Sequence, residues 1–316
     1  MGILVKEPGI FTTVQDGGRV GFQQYGVTPS GPMDERAFAQ ANLLVGNPEG
    51  TEELEMTFSG GRYLFEEAAV IALTGADMKP TVNGEPIPMY RAVSIAAGQE
   101  LVLGFAVNGC RTYMAVTGGL EVTPVMGSKA TLAGKHLGGI DGRKIMAGDN
   151  IGLTASVPAL KDQAKRVFSR TSYPRKEITL RVVPGPQNNG FSREEYRKFF
   201  WYGAEITNEC DRQGCRLQRE EPVQHIGDGN IISDGIAFGS IQIPPNGQPI
   251  IMMADRQTVG GYPKIGTVIS VDLPLLAQAR PGMKVRFVEV GIELAQELYL
   301  REKQTRKQIA KRWGNA

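Results

Sequence analysis

The apolar runs of this chain are short, and glycine or proline punctuates them throughout its length. Ala69-Val70-Ile71-Ala72-Leu73-Thr74 stops at Gly75, Leu101-Val102-Leu103 at Gly104, and Thr112-Tyr113-Met114-Ala115-Val116 at Thr117-Gly118-Gly119. Pro249 precedes Ile250-Ile251-Met252-Met253-Ala254, and Asn83-Gly84 is a hairpin signal. Forty glycines and nineteen prolines without a collagen-like period suit many turns between short strands. The expected fold is therefore mainly β, with few helices.

Composition narrows the function classes. A length of 316 residues suggests about two domains, and 41% hydrophobic with 22% charged residues is ordinary for a globular chain. A net charge of +2, with its basic residues dispersed, argues against nucleic acid. Met1-Gly2-Ile3-Leu4-Val5-Lys6 lacks the pattern of a signal peptide, and no apolar run approaches the ~20 residues of a membrane span. Cys110, Cys210 and Cys215 make no disulfide framework, so a cytoplasmic chain with reduced thiols is expected. Cys210 and Cys215 also lack redox CxxC spacing. With His136 and His225 as the two histidines, neither a zinc site nor a Ser-His-Asp or Cys-His machine is supported.

Residues 35–45 read as the one clear helix of the first half, with Phe38, Ala41, Leu44 and Val45 on its apolar side. Asp34 is its expected cap, with a ligand contact as the other reading, and Gly46-Asn47-Pro48 stops it. Residues 123–142 look like an irregular loop, whose 139–143 end is either a lid or an ordinary connection. The polar, basic stretch 161–176 is the expected boundary, giving domains over 1–165 and 166–292 and a C-terminal helix over 293–316. In the second half 178–183 alternates as a strand, and Ser192 with Glu195 opens a helix at capping-box spacing. The C-terminal helix carries Leu294, Leu298, Ile309 and Trp313 on one side, and its basic run 301–312 is either a solvated face or a partner surface. The halves repeat in outline, which suggests two related β-domains.

Two polar loops stand out. Residues 255–266 join two strands yet carry Asp255, Arg256, Gln257, Thr258, Tyr262 and Lys264 around Gly260-Gly261. Glycine there permits positive φ and close approach of another group. Polar side chains on such a loop suit a binding site, and a solvated hairpin is the competing reading. Near the N-terminus, Gln15, Asp16 and Arg19 flank Gly17-Gly18 in the same manner. Some of these side chains are expected to share one cleft with Arg212 or Arg216; a structural ion-pair network is the alternative.

The chain resembles the biotin-dependent carboxyltransferase-like proteins, the allophanate hydrolase subunit 2 family. Thr13-Val14-Gln15-Asp16 with Arg19-Val20-Gly21, Gly31-Pro32-Met33-Asp34 and Asn42-Leu43-Leu44-Val45-Gly46-Asn47 carry the resemblance in the first half, with Thr74-Gly75-Ala76-Asp77. Val183-Pro184-Gly185-Pro186-Gln187, Asp211-Arg212-Gln213-Gly214 with Arg216-Leu217, and residues 255–266 carry it in the second. It spans nearly the whole chain and resembles most the 5-oxoprolinase C-type and KipI-antagonist members. The resemblance implies two cyclophilin-like β-barrel domains with a few short helices. It also implies work alongside two 5-oxoprolinase partners, a KipI-like B component and an A component, opening 5-oxo-L-proline to L-glutamate with ATP hydrolysis. The single chain would be inactive alone. The alternatives are a regulator that sequesters a KipI-like kinase inhibitor, or a carboxyltransferase-type component of a urea and allophanate pathway.

Coupling lactam opening to ATP places demands on cations, which position and neutralise phosphate or carboxylate. Arg19, Arg212, Arg256 and Lys264 are the catalytic candidates, with Asp16 and Asp255 to orient them or to hold magnesium. Gln15, Arg216, Gln257, Thr258, Gly260, Gly261 and Tyr262 are the candidates for binding substrate or nucleotide. No resident metal site is expected. No Walker-type loop is present, so ATP with magnesium is expected at the assembled complex, as at an interface between its components. Biotin attachment favours a Met-Lys-Met turn, and Met78-Lys79-Pro80 is the nearest string, so biotin is not expected on this chain.

Overall fold

The computed structural model describes residues 2–157 and 159–315. The chain divides into two compact units: one holds the residues up to Arg19, Ser30–Tyr173 and those from Gln304, the other Val20–Pro29 and Pro174–Lys303. Among the described residues there are four α-helices and many short strands, a mainly β fold.

In the first unit a seven-stranded sheet runs, edge to edge, through Leu120–Glu121, Asn150–Leu153, Gly2–Glu7, Ser59–Phe65, Glu100–Phe105, Thr81–Val82 and Glu85–Pro86. A five-stranded sheet contains Phe11–Gln15, Glu53–Thr57, Asn108–Val116, Ala69–Asp77 and Ala92–Ile95. Ile3, Val5, Tyr63, Leu101 and Leu103 of the first sheet and Val14, Leu54, Met56, Ile71 and Met114 of the second form one buried core. The Glu35–Val45 helix covers the other face of the five-stranded sheet, packing Phe38, Ala41 and Leu44 on Ala72, Tyr113 and Ala115. The Ala69–Asp77 strand is buried on both faces, one against the other sheet and one against a helix, so its sheet is a middle layer.

Local signals act as their chemistry requires. Asp34 accepts a hydrogen bond from Ala37 N at 2.9 Å, the cap expected of it. Asn83 and Gly84 take φ of +49° and +88° between Thr81–Val82 and Glu85–Pro86, the positive pair that a two-residue hairpin favours.

The second unit is a closed seven-stranded barrel: Glu177–Pro184, Lys264–Val268, Ser240–Gln242, Ile250–Met252, Gly214–Gln218, Ala204–Cys210 and Lys284–Glu289. Parallel pairing from Glu177↔Lys284 to Val182↔Glu289 closes it. Ile178, Leu180 and Val182 alternate with less buried neighbours, so they point inward, and the registers carry Ile241, Ile251, Cys215 and Leu217 to that side. Ser192 Oγ accepts from Glu195 N at 3.1 Å to open the Arg193–Trp201 helix, whose Phe199 stacks on Phe287 at 4.6 Å. The C-terminal helix runs over Ile292–Trp313.

Candidate functional site

The 255–266 loop leads into the barrel through a two-stranded ribbon in which Asp234–Gly235 pairs with Val259–Gly260. Ile236 N donates to Thr258 O at 3.0 Å, extending that pairing at one end, and Ile231 N donates to Gly261 O at 2.8 Å beyond the other. Where the barrel strand begins, the ladder passes from Ile241↔Gly266 to Gln242↔Lys264, skipping Ile265. The bulge sets Lys264 opposite Gln242, on the side of the sheet away from the inward Ile241.

Lys264 is buried, with its side chain 3% exposed, and its ammonium donates to Asp234 Oδ2 at 2.7 Å. Gln187 ties the pair together: its Oε1 accepts from Lys264 N at 3.2 Å and its Nε2 donates to Asp234 Oδ2 at 3.0 Å. Hydrogen bonds from Lys264, Gln187 and Gly235 N, in that order, hold the Asp234 carboxyl down at about 2. Gly185 makes the Gln187 turn possible, because a Cβ there would lie 2.0 Å from Lys264 O. Gly260 meets the same cluster, since its Cβ would lie 2.6 Å from Gln242 Nε2.

The neighbouring candidates hold the loop rather than face this cluster. Arg212 grips Asp255 in a fork, Nε to Oδ2 and Nη2 to Oδ1, both at 2.9 Å, with both side chains under 10% exposed. Arg256 lies over the Phe238 ring, donates from Nε to Ile236 O at 3.0 Å and is pulled down to about 10 by burial. Its own carbonyl accepts from Thr28 Oγ1 at 2.7 Å. Arg216 instead pairs with Glu209 at 3.0 Å, both side chains exposed. Gln257 and Tyr262 are exposed, and Thr258 is half-buried.

In the first unit Gln15, Asp16 and Arg19 share one target, the 125–131 loop. Asp16 accepts from Ser128 Oγ at 2.7 Å and Lys129 N at 2.6 Å, besides Gly18 N at 2.8 Å. Arg19 donates to the carbonyls of Val125 at 2.9 Å and Ala130 at 3.0 Å. Gln15 bridges Thr131 O at 3.1 Å and Gly31 N at 3.2 Å. The two glycine-flanked loops belong to different units.

Magnesium does not fit these carboxylates. Both oxygens of Asp16 and both of Asp255 are taken by the bonds above, and no group of three or more His, Cys, Asp or Glu side chains suited to a metal occurs among the described residues. No step is therefore assigned to a metal held by this chain.

Sequence reasoning missed Asp234, Gln242 and the buried carboxyls of the first unit. Asp234 sits 30 residues from Lys264 in an unremarkable polar stretch, and Gln242 lies inside an apolar run. Glu55 accepts from Tyr113 Oη at 2.7 Å and Met33 N at 2.9 Å, behind the helix cap. Glu53 is wholly buried, and desolvation, aided by the neighbouring Glu52 and Glu55 and opposed by the Asn42 backbone N–H, raises its pKa well above the usual range. The signal for Gln187 was present, in Pro184-Gly185-Pro186-Gln187.

Residues 25–289, which include the Lys264 cluster, match the family described as carboxyltransferase domain, subdomain A and B. This chain belongs to that family. It is 36% identical over 310 residues to the C subunit of 5-oxoprolinase from Escherichia coli, covering 97% of each chain. To the Haemophilus influenzae protein of the same name it is 33% identical over 293 residues, 90% of each. Its fold resembles that of the K. lactis urea amidolyase, with a TM-score of 0.87 at 27% identity over 98% of this chain, which spans only 20% of that one. Among the described residues no helix is long and apolar enough to cross a membrane.

Proposed function

We propose that this chain is the C component of an ATP-dependent 5-oxoprolinase, which acts with A and B components to hydrolyse 5-oxo-L-proline to L-glutamate. The observation that carries the reading is the end-to-end match. The chain and the C subunit from Escherichia coli cover 97% of each other, whereas it spans only 20% of the urea amidolyase it resembles. A relative matched along its whole length shares an architecture, and not merely one module of a larger enzyme.

The chemistry suits the site. Opening the ring adds water across the amide: the C–N bond breaks, the carbon takes the hydroxyl and the nitrogen takes the proton. The substrate carries a carboxylate besides its lactam, and the ammonium of Lys264, whose backbone N–H is held by Gln187, is this chain's means of holding such an anion. Asp16, Arg19 and Gln15 are read as the anchors of the 125–131 loop, and Arg212 with Asp255 as the brace of the 255–266 loop. ATP with its magnesium is assigned to the assembled complex, and biotin to no residue of this chain. Three thiols outside any disulfide suit the cytoplasm.

Reconstitution tests the reading. The chain alone is expected to release no glutamate from 5-oxo-L-proline, and addition of the A and B components to give release that depends on ATP and on this chain. Release at the same rate from those two components without it would refute the assignment. The likeness in fold to urea amidolyase favours one second reading, carboxyl transfer to urea, so urea-dependent ATP turnover by the same mixture is the control.

A further inference from the structure

The cluster around Lys264 contains a donor with nothing to bind. Gln242 is 4% exposed, and its Nε2 has no hydrogen-bond partner. Leaving a buried amide donor unsatisfied costs roughly 1–3 kcal/mol, so its retention beside a buried ammonium calls for an explanation. Gln242 and Lys264 are cross-strand partners across the bulge, hence neighbours on one face of the sheet. Gly260 lies against the Gln242 amide, where a Cβ would come within 2.6 Å of Nε2. The ammonium and the orphan amide therefore meet beneath the ribbon that carries Asp234.

We propose that Lys264 and Gln242 form a receptor for a small carboxylate, and that Asp234 is a built-in competitor which the incoming carboxylate displaces. Asp234 serves as the template, since it is itself a carboxylate received by Lys264 at 2.7 Å and Gln187 at 3.0 Å. Unlike the buried cation it neutralises, its side chain is 51% exposed, so it can leave into water. The ribbon bearing it has two residues per strand, a short and separable pairing. On exchange, the ligand takes the Lys264 ammonium and the Gln187 amide, and adds the Gln242 bond that Asp234 does not make. One ammonium and neutral amides suit a monoanion. A phosphate dianion would need further cations, and the nearby Arg256 guanidinium is committed to Ile236 O.

This deepens the function proposed above and rests on it only for the choice of ring probe. The test is binding to the full-length chain, followed by NMR, of acetate, 5-oxo-L-proline and the neutral lactam 2-pyrrolidinone. Both carboxylates are expected to bind and the neutral ring to bind at least about tenfold more weakly, from loss of a charge-assisted bond. Asp234→Asn removes the competitor and is expected to tighten both carboxylates about fivefold or more. Gln242→Leu is expected to weaken them about tenfold. Should that variant not fold, Gly260→Ala displaces the same amide and should weaken them too. Unchanged affinity in Asp234→Asn, or a neutral ring that binds as well as 5-oxo-L-proline, would overturn the receptor. If the variants respond as expected while the reconstituted complex releases no glutamate, the receptor stands and the 5-oxoprolinase reading falls.

Discussion

Arg212 and Asp255 are 43 residues apart in sequence and meet in a fork that water barely reaches. Removing one partner of such a pair leaves the other charge buried, which costs about 3–5 kcal/mol. Arg212→Ala is accordingly expected to lower unfolding free energy by about 3 kcal/mol in urea titrations, and a loss under about 1 kcal/mol would show that the fork does not brace the loop. Glu53 behaves oppositely to an ion-paired acid. Its folded pKa is raised above the ordinary 4.5 by burial, so its contribution is fully present below that value and is lost as pH rises through the folded pKa. Glu53→Gln should therefore raise the urea midpoint at about pH 8 relative to the parent, with the difference vanishing near about pH 4; the reverse trend would mean an ionised, paired carboxylate. The sequence announced which residues were chemically capable but not whom they serve. Asp16 looked like a ligand-binding acid, yet its partners Ser128 and Lys129 stand 112 and 113 residues away. No local pattern encodes such a contact.

Elements whose signals are local were legible. The helix over Glu35–Val45 could be read with its cap and stop, because one side chain and one left-handed residue define each end. The same holds for Ser192, where Ser192→Ala is expected to cost about 1 kcal/mol, measurable as a shift in denaturation midpoint with no change in slope. What could not be read is how strands assemble. The β-domain expected of the first unit carries the sheet containing Ala69–Asp77 as a layer between a second sheet and a helix, an arrangement set by packing across long separations. The bulge that brings Lys264 opposite Gln242 is likewise invisible in Lys264-Ile265-Gly266, since it exists only relative to the partner strand. Gly185 was legible only as part of the family resemblance in Val183-Pro184-Gly185-Pro186-Gln187, and the structure sets Lys264 O against it, where a Cβ would lie 2.0 Å away. Gly185→Ala should disturb that backbone contact and lower both stability and carboxylate binding; a variant that matches the parent in each would place the Lys264 strand elsewhere.

At the scale of the whole molecule, family membership and the mainly β fold rest on a match over 25–289 and on a likeness in fold over 98% of the chain. The step from family to reaction concerns an assembly, so it is tested on one. Its sharpest test is glutamate release from 5-oxo-L-proline by the reconstituted three-component mixture, comparing the parent chain with Lys264→Ala. ATP-dependent release is expected with the parent. With Lys264→Ala, kcat/KM should fall at least about a hundredfold while the variant still assembles with its partners, as loss of a charge-assisted contact to the substrate requires. Release that proceeds equally with the variant, or equally without the chain, would contradict it.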